Sequence, residues 1–176
     1  MDTRRYRSGT DDTTTRTMLG DAQLTALHAW LSRVNGTTTF KFIVSSVPFT
    51  SLWTHDAQVD SWAGFPAEKA GLLEAFHSVP NLMILSGDRH EFAAIEFNSA
   101  SPDHHTVREF STSPLSMFYI PFFRTLRMQS DALVTQKQTN TTATNDTAEE
   151  DITTSEAEDV PQERVLKYLP IGNFKW

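Results

Sequence analysis

The chain has 176 residues, a formal net charge of −7 and no cysteine. This length suits one domain with a single hydrophobic core, and the lack of cysteine excludes disulfides and thiolate metal sites. Residues 131–163 hold nine acidic residues and one basic residue, so the rest is nearly neutral. No basic patch stands out, so we expect no nucleic-acid binding. No apolar stretch is long enough to span a bilayer, and the compartment stays open.

The first predicted elements are a helix and a strand. Residues 21–34 place leucines and a valine three or four positions apart, which predicts an amphipathic helix that ends at Asn35-Gly36. Residues 40–47 are rich in aromatic and β-branched side chains, which predicts a strand that ends at Pro48.

A second helix and three more strands follow. Pro66 suits the first turn of a helix, whose leucines and phenylalanine would face the sheet. Residues 82–86, 92–97 and 107–111 predict strands, the last two joined by the polar loop 99–105. This order predicts an α/β fold, in which one half of a two-sheet sandwich carries helices on its outside.

The composition changes after residue 128. Residues 129–163 are rich in threonine, asparagine and glutamate and contain few apolar groups. Such a composition buries too little apolar surface to offset the entropy of ordering the chain. We therefore predict a disordered acidic insertion here, with binding of a protein partner as the less favoured alternative.

The most informative segment is the apolar run 82–86 with the four residues that follow it, Gly87-Asp88-Arg89-His90. Glycine allows a sharp turn after the strand, so that Asp88 and His90 can project toward one point. A carboxylate with a neutral imidazole is a common donor set for zinc, iron or manganese. The alternative interpretation is a helix N-cap aspartate beside a partly buried histidine.

Other candidate residues have two interpretations each. Arg4 and Arg16 could bind phosphate as bidentate donors, or could tie strands together through a carboxylate. His55 and Asp56 could line a substrate pocket, but a histidine beside an aspartate in a loop is more often solvated or locally hydrogen-bonded.

Several further segments surround the Asp-x-His motif in a specific order: residues 16–20, Gln23 before Trp30-Leu31, and residues 40–49, 51–53, 60–66 and 109–115. This order resembles the later part of the PhoD-like alkaline phosphatases of the fungal type, most strongly over residues 16–120. These enzymes are a branch of the calcineurin-like metallophosphoesterases. The resemblance implies an α/β fold class, namely a partial calcineurin-like metallophosphatase β-sandwich flanked by helices.

The resemblance also implies a chemistry. Calcineurin-like enzymes carry a late Gly-His-x-His block that binds metals, and PhoD-like members have Gly-Asp-x-His at that place. Asp88 and His90 are therefore implied to be metal ligands and catalytic residues. The implied metals include iron and calcium, and the implied reaction is hydrolysis of a phosphate ester by a metal-activated hydroxide.

The remaining metal ligands of the family come from earlier blocks, a Gly-Asp-x-x-Tyr segment and a Trp-Asp-Asp-His or Asn-containing stretch, which these 176 residues lack. We therefore expect a fragment that contains a partial metallophosphatase domain (1–128), the insertion (129–163) and a truncated return segment of the same domain (164–176). The alternative function is a non-catalytic remnant that lacks the N-terminal half of the metal site.

Overall fold

The computed structural model describes residues 1–9, 16–112, 125–139 and 155–169. In chain order, the elements of this part are α1 (Gly20–Val34), β1 (Lys41–Ser45), α2 (Ala57–Asp60), a 3₁₀ turn (Trp62–Gly64), α3 (Pro66–His77), β2 (Leu82–Ser86), β3 (Phe92–Phe97), β4 (Val107–Ser111), β5 (Leu133–Thr139), β6 (Ser155–Pro161) and β7 (Glu163–Leu169). The two long helices and the first four strands are confirmed. No helix of the described part is long and apolar enough to cross a membrane.

Five strands form one mixed sheet in the order β1-β2-β4-β3-β7. β1, β2 and β4 run parallel, whereas β3 is antiparallel to both of its neighbours, β4 and β7. The carboxyl ends of β1 and β2 therefore lie at the same edge of the sheet. Loops at this edge of an α/β sheet are the usual position of binding residues.

One face of the sheet is covered by helices. Ile43 and Ile84 point to this face and belong to the same buried cluster as Leu31 of α1 and Phe76 of α3. The opposite face carries Phe42, which is 51% exposed, and other apolar side chains. In the described part of the chain, one layer of the expected sandwich is present: a five-stranded mixed sheet with its helices.

The loop after β1 is held by an aromatic cluster. The ring of Phe49 lies 5.3 Å from that of Trp62, 5.5 Å from that of Phe76 and 5.7 Å from that of Phe97. Contacts of this kind contribute about 0.5–1.5 kcal/mol per pair beyond the burial of apolar area. The cluster fixes the loop against α3 and the sheet.

The prediction of disorder over residues 129–163 is wrong for residues 129–139 and 155–163. β5 and β6 form an antiparallel two-stranded sheet. Val134 pairs with Val160. The physical reason is backbone pairing, since the seven residues of β5 lie opposite the seven residues of β6 in one antiparallel ladder. Residues 140–154 lie outside the described part.

The acidic segment is also attached to the main sheet. Backbone hydrogen bonds join Ser130 N to Glu163 O at 2.9 Å and Gln162 N to Ala132 O at 2.8 Å. β7 then pairs antiparallel with β3, from Leu169 opposite Phe92 to Glu163 opposite Phe97. The return segment up to residue 169 is therefore the fifth strand of the main sheet, and residues 170–176 lie outside the described part.

Candidate metal loop at the edge of the sheet

The Gly-Asp-x-His segment forms a tight loop between β2 and β3. Asp88 has a φ of 80° and His90 a φ of 60°, so both residues lie in the left-handed region. Non-glycine residues occupy this region rarely, and such strain clusters at functional sites. The loop is followed by the strand β3. The alternative of a helix N-cap at Asp88 is therefore wrong.

Asp88 is exposed, and His90 is partly buried. These two side chains are the donors that the family resemblance assigns to a metal, and a carboxylate with an imidazole suits iron. Among the described residues, no group of three or more His, Cys, Asp or Glu side chains is arranged to hold a metal ion. Asp88 and His90 therefore stay predicted ligands, and the described residues add no third group beside them.

The base of the loop rests on the buried carboxylate of Glu109. Ser86, which directly precedes the loop, donates its hydroxyl to this carboxylate. Phe49 N and Thr50 N donate to it at 2.8 and 2.7 Å. Burial raises the pKa of Glu109, and these three hydrogen bonds only partly oppose that rise. One carboxylate thus joins the loop after β1 to the end of β2.

A second buried carboxylate, that of Glu163, continues this network. It accepts hydrogen bonds from Thr50 Oγ1 at 2.5 Å and Ser51 N at 2.8 Å, and it forms an ion pair with Lys69. The Lys69 ammonium also donates to Ser51 Oγ at 2.6 Å. The loop after β1 is therefore held between β4, β7 and α3.

Two arginines of the N-terminal segment bind Asp60. Arg4 Nη1 donates to both carboxylate oxygens at 3.0 and 3.1 Å, and Arg7 Nη1 donates at 2.5 Å. Partial burial works against ionisation of Asp60, but the bonds from Arg7 and Arg4 outweigh it and lower its pKa. The structure thus confirms that Arg4 is tied to a carboxylate, and Arg16 instead stacks 4.3 Å over the Phe65 ring.

The other candidate pair, His55 and Asp56, consists of two side chains with different surroundings. The exposed His55 has a φ of 62°. Asp56 accepts from Arg89 Nη1 at 3.0 Å through both oxygens, and Arg89 lies 5.5 Å over the Trp53 ring. Asp56 is therefore paired with Arg89 of the Gly-Asp-x-His loop, 33 residues away in the chain, and not with a neighbour in its own loop.

A polar pocket of about 170 Å³ lies elsewhere, lined mainly by residues 99–106 and by Gln136. These residues precede β4, which runs parallel to β2. The pocket is therefore at the opposite edge of the sheet from Asp88 and is not part of the candidate site.

Sequence reasoning missed the carboxylates that support the site. A signal existed for Glu109, because it occupies a core-facing position between Val107 and Ser111 in the alternating burial pattern of β4. Glu163 gave no such signal, since it ends an acidic run. The role of Asp60 follows only from the tertiary contacts with Arg4.

The mixed sheet with its helices and edge loop defines an α/β protein of layered type. A family model described as PhoD-like phosphatase matches residues 1–160. The chain belongs to the PhoD-like phosphatase family, as the resemblance predicted.

A solved structure of PhoD is similar to the chain, with a TM-score of 0.50 and 23% sequence identity. The likeness covers 64% of this chain and 26% of that one, so the chain spans about a quarter of the length of that protein. At this identity the comparison shows the fold. The comparison with curated proteins found no match.

Proposed function

We propose that the chain takes part in the metal-dependent hydrolysis of phosphate esters, with Asp88 and His90 as metal ligands and catalytic residues. The observation that carries this proposal is the strained Gly-Asp-x-His loop at the carboxyl edge of parallel strands, in a chain of the PhoD-like phosphatase family. The substrate class is a phosphate monoester or diester.

The residues of the loop have separate tasks in this proposal. The Asp88 carboxylate contributes negative charge and hard oxygen donors, which suit calcium and iron. His90 contributes a neutral ring nitrogen. A metal centre, when bound, supplies neutralisation of the phosphoryl oxygens and eases attack by water at phosphorus. Glu109 and Ser86 hold the base of the loop in place.

The experiment measures metal binding and hydrolysis together. The protein is titrated with Mn²⁺, Fe²⁺ and Ca²⁺ by calorimetry, and hydrolysis of p-nitrophenyl phosphate and its bis-ester is followed at alkaline pH. In the Asp88→Asn/His90→Ala double variant we expect the metal affinity and the turnover to fall by ~100-fold or more, because even outer-shell changes cost about 10–100-fold.

The chain contains a matched control for this variant. Asp103 and His105 have the same Asp-x-His spacing, have exposed side chains, and lie at the opposite edge of the sheet. The Asp103→Asn/His105→Ala variant should bind metal and turn over as the wild type does. The ligand assignment would be contradicted if both double variants lost metal affinity equally. It would also be contradicted if the Asp88→Asn/His90→Ala variant bound metal as the wild type does.

The alternative is a non-catalytic protein that lacks part of the metal site. It predicts no stoichiometric metal and no turnover in the wild-type chain. Turnover that persists after separation from host phosphatases, and that is lost in the Asp88/His90 variant, would exclude this alternative.

A further inference from the structure

Arg4 lies between two carboxylates at the edge of the sheet that carries the metal loop. Its Nη1 is bound to Asp60, and its Nη2 lies 4.0 Å from Asp88 Oδ1. This distance is too long for a hydrogen bond. Within the described residues, the second edge of the guanidinium thus faces the metal loop without a hydrogen-bonded partner.

The position of Arg4 is fixed by the backbone around it. The Met1 ammonium donates to Val44 O at 2.7 Å, and Thr3 is hydrogen-bonded to Ser46 beyond the end of β1. Arg4 N itself donates to Asp2 Oδ1 at 3.0 Å. The N-terminal segment is therefore anchored along the end of β1, which holds Arg4 beside the loop.

The charges around Arg4 are unbalanced by one positive charge when Asp88 binds a metal ion. Arg4 and Arg7 together carry two positive charges, and they share the single negative charge of Asp60. In this structure the negative charge of Asp88, 4.0 Å from Arg4 Nη2, balances the second positive charge. If Asp88 binds a metal ion, as the proposed function requires, one guanidinium edge beside that ion has no counter-charge.

We propose that Arg4 binds the phosphoryl group of the substrate through Nη2. This inference rests on the proposed function and adds a specificity-determining residue to the same site. A guanidinium matches the planar pair of oxygens that a phosphate presents, and such bonds are charge-assisted. The ligand class is a phosphate monoester or diester, with inorganic phosphate as its smallest representative.

The other arginines near this edge are engaged differently. Arg16 is stacked on Phe65, and Arg89 is bound to Asp56. Arg5 is exposed, and its guanidinium lies 5.4 Å over the Tyr6 ring. Arg5 follows Arg4 directly in the chain and is therefore the matched control.

The test is calorimetric titration with inorganic phosphate, in the presence and absence of Mn²⁺, of the wild type, Arg4→Gln, Arg4→Lys and Arg5→Gln. We expect Arg4→Gln to weaken phosphate binding about tenfold or more. Arg4→Lys should recover only part of it, because an ammonium lacks the fork of donors. Arg5→Gln should stay within about twofold of the wild type.

Equal phosphate affinity in Arg4→Gln and the wild type would overturn the inference, and so would a wild type that binds no phosphate under either condition. The affinity for Mn²⁺ alone, measured on each variant, separates this inference from the proposed function. Arg4→Gln should retain the affinity of the wild type for Mn²⁺. Phosphate binding that depends on Arg4 in a chain that binds no metal supports the anion site and contradicts the metal ligands. Circular dichroism verifies that each variant is folded.

Discussion

Lys69 of α3 and Glu163 of β7 form a buried ion pair. Their side chains are only 9% and 6% exposed, and 94 residues separate them in the chain. Because Glu163 also binds Thr50 and Ser51, the pair joins the last strand of the sheet to the loop that follows the first.

Replacing Lys69 by methionine should destabilise the fold strongly. The variant removes the partner of a buried carboxylate, and breaking one side of a buried pair typically costs about 3–5 kcal/mol. The free energy of unfolding is measured by urea denaturation. The Lys69→Met/Glu163→Gln double variant should be less destabilised than the sum of its single variants.

The control is Arg127→Met, since the Arg127 ion pair with Asp131 is exposed on both sides. Exposed pairs contribute about 0–1 kcal/mol, so this variant should resemble the wild type. Similar losses for Lys69→Met and Arg127→Met would contradict the role of the buried pair.

Glu109 should make stability depend on pH in a direction unusual for a carboxylate. Burial raises its pKa in the folded state above the ordinary value of 4.5, so the folded chain holds this proton more tightly than the unfolded chain. The contribution of Glu109 to stability is then full below pH 4.5 and is lost as the pH rises through the folded pKa.

The measurement is the difference in unfolding free energy between the wild type and Glu109→Gln, which has no titrating group at this position. That difference should grow in favour of the wild type as the pH is lowered toward 4.5. Asp103→Asn, in which an exposed carboxylate is removed, is the control. A difference that is flat with pH would show that Glu109 is not perturbed.

At position 88, glycine should destabilise the fold less than alanine does. The φ of 80° at Asp88 costs a side chain about 1 kcal/mol or more, and glycine carries no such penalty. We expect Asp88→Gly to be about 1 kcal/mol more stable than Asp88→Ala in thermal or urea unfolding. Equal stability of the two variants would mean that the loop relaxes, and both should lose metal affinity.

His77 should destabilise the fold at acidic pH. Burial lowers the pKa of His77 below 6.5, with the nearby His104 ring also acting in this direction, while the hydrogen bond to the His105 carbonyl and the charge of Glu74 oppose it. The unfolded chain therefore binds more protons, and stability is lost as the pH falls below 6.5.

The test compares unfolding of the wild type and His77→Asn between about pH 7.5 and 5. Asparagine keeps a donor for the carbonyl but does not titrate, so this part of the pH dependence should disappear. His28→Asn, on the exposed side of α1, should leave it unchanged. A pH profile identical in all three proteins would refute the assignment.

The sequence predicted most of the main sheet because its local patterns agree with its tertiary environment. β2 was predicted with its observed bounds, since the apolar run is bracketed by turn residues. Asp88 and His90 could be proposed because the four residues of their motif are contiguous. Local patterning of this kind is visible without knowledge of the fold.

The supporting contacts could not be predicted, because they join residues far apart. Glu163 binds Thr50 across 113 residues, and Arg4 binds Asp60 across 56. The hairpin of β5 and β6 was missed for another reason: its stability lies in backbone pairing and in the attachment of its ends to the sheet, which composition does not reveal.

The Lys69–Glu163 pair also has a consequence for the order in which the chain acquires its structure. During synthesis, Lys69 emerges 94 residues before its partner, so its ammonium group lacks the carboxylate of Glu163 until β7 arrives. Contacts so distant in the chain make folding slow. The nascent protein therefore passes through a stage in which Phe76 of α3 can already pack on Phe49, while Lys69 of the same helix has no buried partner.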